Sequence, residues 1–448
     1  MYGRNPTWKP GAAGGTMITA TALENIENGI VDADVTNPAS AAHAALGLSL
    51  ASYDDANSGP YASVGERIQA VQVDAPFATV PAYNATLATK RKWRKALGRV
   101  NSGTGNAKLC IVGDSTSWGI GSGGADGGAW PRILADMLNR TYAPTQYSFI
   151  VPPGSSAPKT AGERDDRWGD YVGAGWGDTQ QGFGALGAIS HGGSSTSSPL
   201  TVTPGIECDT FEIYYLQNSG LGTIAVSVDG GSTTTQSTAG SLGWGKLTIT
   251  APAGFAHVLS IVKSVNTVFI LGVDAYLSTR SSIHVMNAGV SNSRAYQVNG
   301  AAWSNSSAGG SLAGIAKIAP DNTIVQLGIN DARLAASSTA DQWEGAIRAI
   351  VATAQLSGDV TIASTVPSAT GILQNAGVGP GAVPALEKEY RDRCLAIAIS
   401  TGSTFVDIFS RYGSFAEADA AGFMADQLHT FAAGSADMAD GHRRVLTA

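Results

Sequence analysis

One serine, one aspartate and one histidine in this chain have the residue types and local spacing of a nucleophilic site. Ser115 lies in Gly113-Asp114-Ser115-Thr116-Ser117-Trp118-Gly119, and near the other end the chain runs Asp426-Gln427-Leu428-His429. A serine hydroxyl is a weak nucleophile until an adjacent base takes its proton. Histidine, with a pKa near neutrality, is suited to that task. An aspartate beside it can hold the imidazole in the right tautomer and stabilise the imidazolium. Asn287-Ala288-Gly289 and Gly328-Ile329-Asn330-Asp331 add the remaining parts. The backbone N–H groups of Ser115 and Gly289 and the side-chain amide of Asn330 are candidate donors to a tetrahedral oxyanion, each worth ~10²–10³ in rate. Glycine at 289 would let the backbone approach the substrate closely.

These residues must be brought together by strands. Leu109–Val112, Ile283–Met286 and Thr323–Leu327 are short apolar, β-prone runs immediately before the Ser115, Gly289 and Asn330 segments. In a parallel α/β sheet the loops past the carboxyl ends of strands converge on one edge. Asp426 and His429 would join that edge on a C-terminal loop. Each segment alone has an ordinary explanation, because Gly-Asp-Ser is commonly a turn and Asn-Asp a helix cap. All of them in order, three behind strand-like runs, define one site. The nucleophile does not lie in a G-x-S-x-G elbow, since position 117 is serine.

The pattern resembles the SGNH hydrolases, also called GDSL esterases, over roughly residues 96–178 and 283–448. Gly113-Asp114-Ser115 and Gly119 match the first block, with Thr116 where leucine is commoner. Gly289 matches the second, Gly328-x-Asn330-Asp331 the third and Asp426-x-x-His429 the last. The resemblance implies hydrolysis of a carboxylic ester through an acyl-enzyme on Ser115. Asp426 and His429 complete the triad, Ser115, Gly289 and Asn330 form the oxyanion hole, and Asp114 and Asp331 support them. No metal or organic cofactor is implied.

Beyond the motifs, Asp359–Ala363 and Thr404–Ile408 continue as a fourth and fifth strand, with helices over Gln342–Leu356 and Ala385–Ile399. That alternation predicts a three-layer α/β/α sandwich around a five-stranded parallel, flavodoxin-like sheet. Residues 180–282 change character. Short alternating runs at Thr210–Leu216, Thr223–Val228, Lys246–Thr250, His257–Val262 and Val268–Val273, with an Asp229-Gly230-Gly231 turn, predict an inserted antiparallel β-sandwich. The insert resembles jelly-roll, carbohydrate-binding-like modules; a spacer or a subunit contact is the alternative. Tyr214, Tyr215 and Trp244 are candidates for stacking on sugar, set against the possibility that they fill the sandwich core.

A chain of 448 residues exceeds one simple core. Its parts divide as an N-terminal attachment segment (1–33), a neck (34–85), a first hydrolase part (86–179), the β-insert (180–282) and a second hydrolase part (283–448). A net charge of −7 does not favour nucleic acid as partner. Cys110 and Cys394 read as buried apolar residues, Cys208 lies in a different segment, and no metal-ligand spacing occurs. His284 is expected in the core and His442 on the surface of a terminal helix. Leu87–Val100 carries a basic cluster around an inward-facing Trp93.

No signal-like segment or membrane-length apolar run is present in the sequence. The enzyme would then be cytoplasmic or carried outside by other means. Leu23, Ile26 and Ile30 form one apolar stripe on a short helix capped by Thr19 or Thr21, which needs a partner to pack against. The first 32 residues or so resemble the attachment region of bacteriophage tail and tail-fibre proteins. That implies a virion-tail location at a host surface, other tail proteins as partners and a homo-oligomer, a trimer. The expected substrate is an ester-bearing glycan, such as an O-acetylated cell-surface polymer. A small-ester or lipid esterase and a non-catalytic receptor-binding tail protein are the alternatives.

Overall fold

The structure, a computed structural model, describes residues 82–125, 127–152, 165–169, 175–179, 188–191, 198–296, 303–333, 339–369 and 382–447. The expected attachment segment and nearly all of the neck lie outside the described residues.

The first sheet has seven strands. They are β1 (Ala82–Tyr83), β2 (Ala107–Gly113), β3 (Thr145–Tyr147), β14 (Ile283–Asn287), β15 (Asn322–Gln326), β16 (Asp359–Ala363) and β17 (Thr404–Val406), in the order β3-β14-β2-β15-β16-β17-β1. All neighbours are parallel except β1, which closes the far edge antiparallel to β17. The five expected parallel strands are therefore present, with two more. Sequence periodicity cannot signal β1 and β3, because two or three residues are too few to show an alternation. β14 and β15 are buried along their whole length, as strands covered on both faces must be.

The helices are α1 (Arg91–Asn101), α2 (Ser115–Trp118), α3 (Trp130–Thr141), α4 (Ser311–Ile318), α5 (Ile329–Arg333), α6 (Ala340–Gln355), α7 (Ala382–Thr401), α8 (Ile408–Tyr412), α9 (Phe415–Ala420) and α10 (Ala432–Thr447). Trp343, Ile347, Ile350 and Val351 of α6 and Tyr390, Cys394 and Ile397 of α7 share one core with Cys110, Val112, Val325 and Ile362 of the sheet. Within α1, Trp93 is buried as expected, and its indole N–H donates to Leu446 O of α10 at 3.0 Å. Two of the α1 charges are engaged within the fold: Lys92 donates to Gln355 O at 2.6 Å and Arg99 pairs with Asp321 at 2.9 Å. His284 is buried in β14, as expected. His442 is not on the surface: it is 0% exposed and stacks on Trp130 of α3 at 4.4 Å between ring centroids. The charged neighbours Arg443, Arg444 and Asp440 conceal in the sequence that α10 turns this position inward.

Ten further strands form two antiparallel sheets: β4 (Phe149–Ile150), β5 (Gly177–Thr179), β6 (Ala188–His191), β7 (Leu200–Val202), β8 (Cys208–Gln217), β9 (Thr223–Val228), β10 (Thr234–Ser237), β11 (Gly243–Gly254), β12 (Leu259–Val265) and β13 (Val268–Tyr276). One sheet runs β10-β9-β12-β7; the other runs β11-β8-β13-β6-β5, with β4 also on β13. Asp229 and Gly230 both have positive φ, 52° and 68°, as the primed hairpin turn after β9 requires. Residues of both sheets share one buried cluster, including Phe211, Ile213, Tyr215, Val226, Ile261 and Ile270, so the two sheets form a sandwich. The sandwich takes up strands from residue 149 onward, ahead of residue 180.

The other face of the larger sheet is not exposed. Tyr214, Leu216, Trp244 and Leu271 belong to the core that holds Val112, Met286 and Val325. Trp244 donates its indole N–H to Gly309 O at 3.1 Å, just before α4. Glu212 pairs with Lys246 at 2.6 Å on its own sheet and with Lys108 of β2 at 3.7 Å. Tyr214, Tyr215 and Trp244 are 0%, 3% and 6% exposed, so none of them is a surface for stacking sugars. A sheet buried on both faces uses its aromatics as core.

Candidate active site

Ser115, the candidate nucleophile, sits at the turn from β2 to α2. Asp114 is the extended residue before α2, and its carboxylate accepts from the Thr116 N–H at 2.9 Å. Ser115 thereby becomes the first helical residue, whose backbone N–H has no acceptor within α2. After one turn the helix ends at Gly119, whose N–H returns to Ser115 O at 2.9 Å.

The candidate base, His429, and its partner Asp426 come from the loop before α10. His429 Nε2 lies 2.9 Å from Ser115 Oγ, and His429 Nδ1 lies 2.7 Å from Asp426 Oδ2. The other carboxylate oxygen, Asp426 Oδ1, accepts from the backbone N–H groups of Leu428 and His429 at 2.7 and 2.8 Å. Burial opposes ionisation of Asp426, but the His429 side chain and these N–H groups outweigh it and hold its pKa down at about 2. The carboxylate is therefore charged throughout the neutral range.

Two contacts hold that loop in place. The Ala369 N–H, after β16, donates to Gln427 O at 3.0 Å, and the Ala425 N–H donates to His429 O at 2.8 Å. From the other side the chain after α2 comes very close at Gly121. Its φ is +82°, and a Cβ there would stand 2.8 Å from Ala425 Cβ and 3.1 Å from His429 Cβ. Gly121 was not singled out from the sequence; its place in the glycine-rich run Gly119–Gly124 was the available signal.

Gly289 follows β14 and lies flat against α2. A Cβ there would be 2.8 Å from both Ser117 Cβ and Trp118 N. Its N–H donates to Asn287 Oδ1 at 3.0 Å, while Asn287 Nδ2 donates to Ser117 O and to the Tyr147 hydroxyl, both at 2.9 Å. Asn287 thus ties β14 to the nucleophile helix and is already an acceptor for the Gly289 N–H.

Asn330, buried in α5 just past β15, donates through Nδ2 to Ser293 O at 3.0 Å. Its Oδ1 accepts from Arg333 Nη1 at 3.2 Å. Asp331 accepts from the Ala295 and Tyr296 N–H groups at 3.0 and 3.1 Å, fixing the loop after β14. Burial raises both supporting carboxyls, Asp114 to about 6 and Asp331 to about 7, against the N–H donors and nearby charges that lower them. Both carboxylates accept from backbone N–H groups.

From β2 the chain adds β3 and β14 on one side and then β15 on the other, which makes β2 the switch point where α/β sheets bind ligands. A hydroxyl, a base in hydrogen-bond reach and an anion orienting that base can carry out nucleophilic acyl transfer.

The three cysteines are buried and free, and burial raises all their thiols. Among the described residues no helix is long and apolar enough to cross a membrane.

No protein-family model matches this chain, and no curated protein matches it. Solved structures do. A peptidoglycan O-acetylesterase superposes with a TM-score of 0.57 at 16% identity, over 81% of this chain and 97% of its own. An aryl esterase from M. smegmatis matches with a TM-score of 0.30 at 14% identity, over 36% of this chain and 77% of its own. A carbohydrate acetylesterase from Sinorhizobium meliloti matches with 0.28 at 16%, over 36% and 76%. At 16% identity the likeness to the peptidoglycan O-acetylesterase is one of fold, and that superposition is too broad to rest on the α/β/α layers alone.

Proposed function

We propose that this protein is a serine esterase that removes acyl groups, acetyl above all, from the hydroxyls of a cell-surface glycan. The observation that carries this is the continuous chain from Ser115 Oγ to His429 Nε2 at 2.9 Å and from His429 Nδ1 to Asp426 at 2.7 Å. Ser115 Oγ attacks the ester carbonyl carbon while His429 Nε2 takes the hydroxyl proton. The oxyanion is met by the Ser115 N–H, by the second Nδ2 hydrogen of Asn330 and by the Gly289 N–H, which it shares with Asn287 Oδ1. On collapse the C–O bond to the sugar breaks, and His429 passes its proton to the departing oxygen. Water then attacks the acyl-enzyme with His429 again as base, releasing the carboxylic acid and restoring Ser115.

The glycan part of the reading is supported by the activity named for the peptidoglycan O-acetylesterase, whose fold this chain shares over most of its length. The same proposal gives residues 1–33 the role of joining the enzyme to a larger assembly, on the strength of their sequence pattern. The test is acetate release from O-acetylated peptidoglycan and other O-acetylated glycans, beside p-nitrophenyl acetate hydrolysis, with Ser115→Ala as control. Loss of nearly all turnover in the variant, with an unchanged circular dichroism spectrum, is expected. Normal activity in Ser115→Ala protein overturns the assignment. Hydrolysis of the small ester with no glycan deacylated would return the substrate to small esters.

A further inference from the structure

We propose that Arg333 is a positioning residue for catalysis, acting through the Asn330 side chain; this rests on the esterase reading above. Arg333 lies one helical turn after Asn330 on α5, and its Nη1 donates to Asn330 Oδ1 at 3.2 Å. Asn330 Nδ2 donates to Ser293 O at 3.0 Å. The amide is therefore clamped between two partners of opposite type, a guanidinium on its oxygen and a carbonyl on its nitrogen.

That clamp has two consequences. An asparagine amide is nearly symmetric in shape, and a flip would exchange its oxygen and nitrogen. With Arg333 on one side and Ser293 O on the other, the flipped state would set donor against donor and acceptor against acceptor. Only the orientation with Nδ2 toward Ser293 O and Oδ1 toward Arg333 remains, which leaves the second Nδ2–H free to donate. A charge-assisted bond to the amide oxygen also draws electron density from the nitrogen, so the remaining Nδ2–H becomes a stronger donor. Its effect falls on the oxyanion, which carries full charge only in the transition state.

The surroundings favour this role for an arginine. Arg333 is partly buried and stands within electrostatic reach of Asp114, before the nucleophile, and of Asp426 in the triad. A guanidinium keeps its charge in such a setting, where an ammonium is more readily neutralised. Asn330 is itself buried, so its amide cannot be oriented by bulk water instead.

The test uses the full chain with p-nitrophenyl acetate. Arg333→Ala is expected to lower kcat ~10-fold or more with KM within about twofold, because ground-state binding does not need the oriented amide. Arg333→Lys should recover part of the loss. The deciding arm is Asn330→Ala combined with Arg333→Ala, which should be no slower than Asn330→Ala alone. Multiplying losses in the double variant, a change in KM only, or wild-type kcat in Arg333→Ala would each overturn the proposal. A readout independent of turnover is the Asn330 side-chain NH₂ resonance pair in asparagine-labelled protein. It should shift in Arg333→Ala, and unchanged resonances would overturn the contact. If Ser115→Ala retains full activity, the esterase reading fails, and the resonance pair still judges the Arg333 contact.

Discussion

Tyr214 and Tyr215 are neighbours on β8, yet their rings lie in two different hydrophobic cores. Tyr215 is in the sandwich core with Phe211 and Ile213, and Tyr214 is in the core of the α/β/α layers with Trp244 and Trp303. Phe149 and Ile150 of β4 divide in the same way. The larger antiparallel sheet is thus a shared wall. Replacing residues 180–282 with a Gly-Ser linker would strip apolar cover from the hydrolase and should abolish hydrolysis of small esters as well as of polymers. Tyr214→Ala should cost about 3–5 kcal/mol of stability, as truncation of a large buried ring does. Retention of p-nitrophenyl acetate hydrolysis after the replacement would show that the wall is dispensable.

Asp426→Asn tests the orienting anion. The substituted amide can still accept from the Leu428 and His429 N–H groups, so the loop should hold. It also presents an NH₂ to His429 Nδ1 and selects the wrong tautomer, which should lower kcat by about 10⁴. Steady-state kinetics at neutral pH, beside a thermal melt, would check both halves. A loss below tenfold would mean that Asp426 only shapes the loop.

Gly289→Ala should be more damaging than its size suggests. The added methyl would meet Ser117 Cβ and Trp118 N at 2.8 Å, pushing β14 away from the helix that carries Ser115. Loss of kcat with a lowered melting temperature is expected, and wild-type values for both would refute the packing account.

His442 should make the fold acid-sensitive. Burial, and then Arg411, lower its pKa to about 3 from the ordinary 6.5, and among the described residues neither ring nitrogen has a hydrogen-bond partner. The folded protein keeps it neutral while the unfolded chain takes up a proton near 6.5. Its contribution is complete above that pH and is lost as pH falls from 6.5 toward 3, at up to ~1.4 kcal/mol per unit. His442→Phe keeps a ring against Trp130 and removes the titration. Urea midpoints compared across pH 7 to 4 should diverge in favour of the variant below 6.5. Asp331, raised to about 7 by burial, acts in the opposite sense in both proteins and cancels in the comparison. A constant difference across that range would count against the argument.

For residues 1–78 the expectation is association. Light scattering should give a trimer for the full chain and a smaller species for a chain beginning at Thr79. A monomeric full-length protein would leave that region without a self-assembly role.

Ser115, Gly289, Asn330, Asp426 and His429 were legible in the sequence as candidate residues because their types suit acyl transfer, and the first three each follow a short β-prone run that the structure makes a strand. The runs of β8, β9, β11, β12 and β13 were legible for a similar local reason, since period-two alternation and an Asp-Gly turn are properties of neighbouring residues. What β8 faces was not. Every residue from Cys208 to Leu216 is buried, and a run covered on both sides carries no mark of which cover lies where. The inward turn of His442, the approach of Gly121 to His429 and the entry of β4 into the sandwich all depend on chain remote in sequence. The hold of Arg333 on Asn330 spans one helical turn, but its consequence arises only when Ser293 O, from another loop, takes the opposite side of the same amide. Local chemistry selects the residues of this site; the packing of separate segments decides which hydrogen bonds and which cores they enter.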